Sequence, residues 1–227
     1  MELAIDTSTR YAGIALAREG QTLLEITWHS RQNHTVELMP TVEHALKRLG
    51  LTARDLKAIV VARGPGGFSA LRVGISAAKG LAASLELPIV AVDTLEVEAY
   101  PYCHVGLPVC PVLQISKTDV AWALFVQRNS EWRKLQEEQV GTPEALLRQL
   151  QEPVLMCGEG VQAVAQHLGS SGLGHLVMRV PSPTRRPSIL AFLGHERLAG
   201  GQVEDVASLQ PLYLRPPSIT LGGGARS

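Results

Sequence analysis

Two short turns carry most of the chemistry this sequence could do. The first, Asp6-Thr7-Ser8-Thr9, follows the apolar run from Leu3 to Ile5 and sets a carboxylate beside three hydroxyls. Hydroxyls and backbone N–H groups in such a turn can donate to a phosphate, while the carboxylate holds a metal ion or its water. The second, Arg63-Gly64-Pro65-Gly66-Gly67, follows the run 56–61 and opens a long, almost uncharged segment. It departs from the G-x-x-x-x-G-K-[ST] phosphate loop, because no lysine follows its last glycine. Two readings fit it: a phosphate-holding turn, or a corner whose backbone angles only glycine permits.

Other residues offer less. His29, His34 and His44 lack an H-E-x-x-H pattern and read as surface or capping histidines. Ser69 and Ser76 have no base that the sequence can identify, so no nucleophile stands out. Asp6 and Asp93 could pair as carboxylates, but each ends a strand, where turn and capping roles are the simpler reading. Cys103, Cys110 and Cys157 form no C-x-x-C pair and are expected to be reduced structural thiols. No metal and no cofactor is expected.

These turns need elements to position them. Leu3 to Asp6, Tyr11 to Ala17 and Thr22 to Trp28 read as a three-stranded meander. Residues 36–49 read as a helix with Glu37 early, Lys47 and Arg48 late and Gly50 as its stop, its regular part beginning near Pro40. A strand over 57–62, a helix over 69–87 and a strand over 89–92 follow, and Asp93 with Glu96 resembles a capping box for a short helix. The proline-rich stretch 101–111 reads as a link between two lobes.

Beyond the link the plan repeats. Residues 111–116 correspond to 3–8 and residues 120–125 to 12–17, with Ser8/Ser116, Ala15/Ala123 and Leu16/Leu124 identical at one constant offset. At the place of Asp6 the second lobe has Gln114, which supplies no charge. Thr142-Pro143 starts a helix, and Gly158-Glu159-Gly160 repeats the strand, glycine turn and helix seen after Ala62. The predicted fold is α/β with duplicated βββαβα lobes over 1–101 and 102–219. Its last helix, 187–198, is expected to pack back on the first lobe, and 220–227 to form a flexible tail.

The helix over 69–87 carries Arg72, Lys79 and Glu86 as its only charges, seven apart along one stripe. A helix on its own sheet needs only about a 100° apolar face, and this one exceeds that. Either the two first-lobe helices bury each other and the sheet, or they present an apolar face to a partner. In the second case Leu38, Met39, Val42, Leu46, Leu71, Ile75, Ala78 and Ala82 form that face, and charges at Val42 and Ile75 are expected to abolish binding without unfolding the lobe.

With 21 basic and 21 acidic residues the chain has no net charge to coat nucleic acid or membrane by itself. It begins without a basic stretch and apolar segment, and no apolar run reaches the roughly 18 residues a bilayer span needs. A cytoplasmic protein is expected.

LAIDTSTRYAGIAL at 3–16, ARGPGGFSALRVGISAAKGLA at 62–82, VDTLE at 92–96 and QPLYLR at 210–215 closely resemble the TsaB (YeaZ) family. The resemblance implies the two-lobed actin-like ATPase fold, of the ASKHA, RNase H-like group, with Asp6, Thr7, Ser8, Gly64, Gly66 and Gly67 as vestigial phosphate turns. It also implies a non-catalytic subunit that binds TsaD, reaches TsaE and tRNA through that complex, dimerises with itself when alone, and supports threonylcarbamoyl transfer to adenosine 37 of tRNAs reading ANN codons. TsaD's metal-binding H-x-x-x-H is absent, so neither metal nor transfer chemistry carries over. The alternative is an ATP-dependent small-molecule kinase or protease-like hydrolase of the same superfamily. One departure is the second-lobe turn, where D-A-R-x-x-E-V-Y is common and Gln114 to Ala121 stands instead; polar contacts made there elsewhere are expected to be lost.

Overall fold

The computed structural model describes residues 1–129, 131–170 and 172–214; the predicted tail lies outside them. β1 (Glu2–Asp6), β2 (Tyr11–Arg18) and β3 (Gln21–His29) form the meander, and α1 (His34–Arg48), β4 (Ala58–Ala62), α2 (Phe68–Leu85) and β5 (Ile89–Val92) complete a five-stranded sheet in the order β3-β2-β1-β4-β5. β1, β4 and β5 run parallel, with their carboxyl ends at the two candidate turns. After α3 (Thr94–Ala99) the pattern recurs in β6 (Val109–Gln114), β7 (Val120–Arg128), β8 (Glu131–Gly141), α4 (Pro143–Gln149), β9 (Leu155–Cys157), α5 (Val161–Ala165) and β10 (Leu176–Val177). The second sheet, β10-β9-β6-β7-β8, repeats the strand order of the first. α6 (Pro187–Ala199) follows it.

The apolar pattern decides the layers. β1 and β4 are buried along their whole length, as parallel strands covered on both faces must be. One face of the first sheet packs on α1 and α2 through Leu3, Ile5, Ile59, Leu38 and Ile75. Its other face packs on α6 through Ala4, Val60, Leu190 and Ala191. α3 packs on β6 and β7, where Leu95 and Ala99 meet Val109, Leu113 and Phe125. Helices that follow one sheet in sequence therefore pack on the other, and α3 and α6 lie between the two sheets.

Three local expectations need correction. The first helix begins at His34, not near Pro40, and Pro40 sits inside it. Buried Leu38 and His34, whose Nε2 lies 3.0 Å from the Thr9 carbonyl oxygen, anchor the turn ahead of the proline; His34 is therefore no surface histidine. Beside the proline, the Thr41 hydroxyl donates to the Glu37 carbonyl at 2.7 Å. The second helix stops at Leu85, because Glu86 adopts a left-handed backbone with φ of 54°. The link is shorter than expected, since β6 begins at Val109. By contrast Thr142 caps α4 as its sequence suggests, accepting from the Ala145 N–H.

Candidate functional site

The two candidate turns meet, and they meet by backbone. Gly67 N–H donates to the Ser8 carbonyl at 2.8 Å, and a Cβ added at Gly66 would run into that same carbonyl oxygen. Eight residues further on, within α2, a Cβ at Gly74 would strike the Thr7 hydroxyl, which donates to the Ala70 carbonyl at 2.7 Å. Gly66 and Gly74 are thus required by close approach between α2 and the β1–β2 turn. The corner reading of the glycine turn accounts for its geometry, because the Gly67 N–H that could face a phosphate already serves the chain.

Asp6 is equally committed. Its Oδ1 accepts the Ser8 N–H at 2.8 Å and its Oδ2 accepts from Arg185 Nε at 2.9 Å. The pair is deeply buried, with 2% of the Arg185 side chain and 4% of the Asp6 side chain exposed. Arg185 Nη1 donates to Glu159 Oε1 and Nη2 to the Thr9 hydroxyl, each at 2.9 Å. Thr9 in turn donates to Glu159 at 3.1 Å. Glu98 of α3 completes the cluster: it accepts from the Thr184 hydroxyl at 2.7 Å and lies 3.6 Å from Arg185 Nη1. Burial lifts the Glu98 carboxyl to a pKa of about 7, against the pull of Arg185 and Thr184 and with help from the charges of Glu159 and Asp6. Burial opposes the Arg185 charge, yet its three carboxylates hold its pKa above the ordinary arginine value.

Asp93 does not join Asp6 and does not cap α3. Its carboxylate accepts from Arg63 Nε and from Lys134 Nζ of β8, each at 2.6 Å, and its side chain makes no capping bond. Burial raises its pKa, but Lys134 and Arg63 prevail and hold it below the usual range. Glu96, expected to complete a capping box, pairs with Arg197 of α6. Both acids spend their charge joining parts distant in sequence, which no local motif announces.

An actin-like fold implies a nucleotide with a divalent metal, and the residues here do not fit one. Both Asp6 oxygens are occupied from within the chain, the second lobe offers Gln114, and the Gly160 N–H donates to the Val112 carbonyl at 2.9 Å. Among the described residues no three His, Cys, Asp or Glu side chains group as a metal site. The second-lobe turn does keep polar contacts, though inside itself, with Ser116 and Thr118 hydroxyls donating to Asp119 at 2.8 and 3.0 Å. A cleft of about 600 Å³ between the lobes is lined by Ser8, Thr9, Gly66, Gln114, Lys117 and Glu159, among others.

The expected partner face is largely core. Leu38, Val42, Leu46, Leu71, Ile75, Ala78 and Ala82 are buried within this chain, so charges at Val42 and Ile75 would unfold the lobe; of the eight, only Met39 is exposed. The charged stripe of α2 stays at the surface, with Arg72 and Glu86 exposed, but it is not free. Lys79 donates to the Ala207 and Leu209 carbonyls, and Arg72 Nε donates to the Tyr213 hydroxyl, so the stripe holds residues 207–213 as a strap along the helix. Tyr213 packs on Phe68 with ring centres 4.7 Å apart, and Leu212 N–H donates to the Arg63 carbonyl at 2.7 Å. What stays open on this layer is Val36, 70% exposed, and Met39, 42% exposed, beside half-buried Val73 and Ala77.

Comparison with known proteins bears on this site. The chain is 35% identical to the tRNA threonylcarbamoyladenosine biosynthesis protein TsaB of Bacillus subtilis, over 94% of this chain and 93% of that one. The chain belongs to the TsaB family. The TsaD family model, described as tRNA N6-adenosine threonylcarbamoyltransferase, matches residues 24–210, so TsaB and TsaD sequences share one ancestry here. YeaZ from Pseudomonas aeruginosa superposes with a TM-score of 0.78 at 25% identity, covering 94% of this chain and 99% of that one. The ethanolamine utilization protein EutJ from Carboxydothermus hydrogenoformans shares the fold alone, with a TM-score of 0.52 at 12% identity over 85% of this chain and 89% of that one. The two matched sheets and these neighbours make this the two-lobed actin-like ATPase fold. Among the described residues no helix is long and apolar enough to cross a membrane.

Proposed function

We propose that this chain is a non-catalytic subunit of the machinery that forms threonylcarbamoyladenosine on tRNA, binding a TsaD-type transferase and supporting its chemistry. The observation that carries this reading is the commitment of Asp6 to Arg185: the carboxylate that would serve a metal-bound phosphate is already neutralised inside the protein. The names of the TsaB relatives supply the pathway. On this reading the α1–α2 layer meets the transferase through its open apolar residues, chiefly Val36 and Met39, and meets a second copy of itself when the transferase is absent. TsaE and tRNA are reached through the complex, in keeping with a chain of zero formal net charge.

The test is a reconstituted transfer reaction with the TsaD-type transferase and TsaE of the same organism, scored by threonylcarbamoyladenosine in tRNA. Product is expected to require this chain and to survive Asp6→Asn. Undiminished product without the chain, or its loss in a folded Asp6→Asn protein, would overturn the reading.

A further inference from the structure

The buried cluster between the lobes has more carboxylates than cations. Asp6 at the end of β1, Glu159 in the turn after β9 and Glu98 in α3 converge on one guanidinium, that of Arg185. Three carboxylates brought around one point repel one another and need a cation among them. A guanidinium can take that place because its rigid planar fork offers five N–H donors and keeps its charge at any ordinary pH. Arg185 uses the fork on separate elements: Asp6 and Thr9 belong to the β1–β2 turn of the first lobe, Glu159 to the glycine turn between β9 and α5 of the second. The segment that carries it joins β10 of the second sheet to α6, which packs on the first.

We propose that Arg185 is a resident counter-cation, standing beside Asp6 where a divalent metal would stand, fastening the two lobes in one relative orientation and closing the cleft to metal-bound phosphate. The lobe angle is then set by the chain itself and not by a ligand. This goes beyond the accessory role, since a non-catalytic subunit could equally hinge freely.

The experiment uses the full chain, Mn²⁺ as the probe, and amide hydrogen exchange at Ser8 and Gly160. Wild type is expected to show no saturable Mn²⁺ binding at millimolar concentration. Arg185→Met, which leaves the carboxylates and most of the volume, is expected to bind Mn²⁺ saturably below millimolar concentration, with Asp6→Asn abolishing that binding. Exchange at Ser8 and Gly160 is expected to rise by about tenfold or more as the lobes loosen. Saturable Mn²⁺ binding by wild type that weakens in Asp6→Asn would overturn the proposal, as would an Arg185→Met protein unchanged in both readouts. If Arg185→Met does not fold, Arg185→Lys decides: it keeps the charge without the fork, so exchange is expected to rise while Mn²⁺ stays unbound, and wild-type exchange would refute the fastening role.

Discussion

Glu98→Gln turns the buried cluster into a measurable pH dependence. In the folded protein Glu98 releases its proton near pH 7, whereas its ordinary pKa is 4.5. Between those values the native state holds a proton that the unfolded chain has lost, so stability falls as pH rises through the window and levels off above it. Each pH unit corresponds to about 1.4 kcal/mol, which makes the loss about 3 kcal/mol. The amide introduced by Glu98→Gln keeps an acceptor for the Thr184 hydroxyl and cannot ionise. Carboxylates with lowered pKa, such as Asp93, act in the opposite sense on the absolute curve. The quantity to follow is therefore the difference between variant and wild type. Urea unfolding from pH 4.5 to 8.5 should show Glu98→Gln gaining on wild type by about 3 kcal/mol up to pH 7, then running parallel to it. A difference that stays constant across the whole range would refute the reasoning.

Further outcomes follow from the same contacts. Gly66→Ala should destabilise by on the order of 3 kcal/mol, read from denaturant midpoints, because the new Cβ meets the Ser8 carbonyl and both backbones are fixed by the Gly67 hydrogen bond. Lys79→Met should free the strap that it holds at Ala207 and Leu209, so limited proteolysis within 203–214 should speed up while stability falls by only about 1–2 kcal/mol. Burial pushes the Cys110 and Cys157 thiols well above the ordinary value, so iodoacetamide should modify neither until the protein unfolds.

The repeat of Leu3 to Ala17 at residues 111–125 was readable because both sheets use the same apolar strands in the same order. The glycine turn was readable as an unusual corner, and the structure adds the reason: Ser8 packs directly against it. The helix pair misled because apolar pattern cannot distinguish a face covered by the chain's own strap and sheet from one left for a partner. Leu71 and Ile75 face inward, and Arg72 and Lys79 bond to residues that lie 128 or more positions away. Arg185 escaped the sequence altogether. It is one arginine in a Pro-Thr-Arg-Arg-Pro run, with no local signal, and its partner Asp6 is 179 residues away. Local patterns set elements and corners; the charge balance of the site depends on contacts that only the finished topology creates.

The most direct measurement is light scattering coupled to size exclusion on mixtures of this chain with the TsaD-type transferase. Wild type should shift into a heteromer, and Val36→Glu with Met39→Glu should elute apart from the transferase while keeping its stability within about 0.5 kcal/mol of wild type, since both side chains are exposed. A double variant that still co-elutes at wild-type affinity would contradict the α1–α2 face as the site of assembly, and a wild type that never shifts would contradict the accessory role itself.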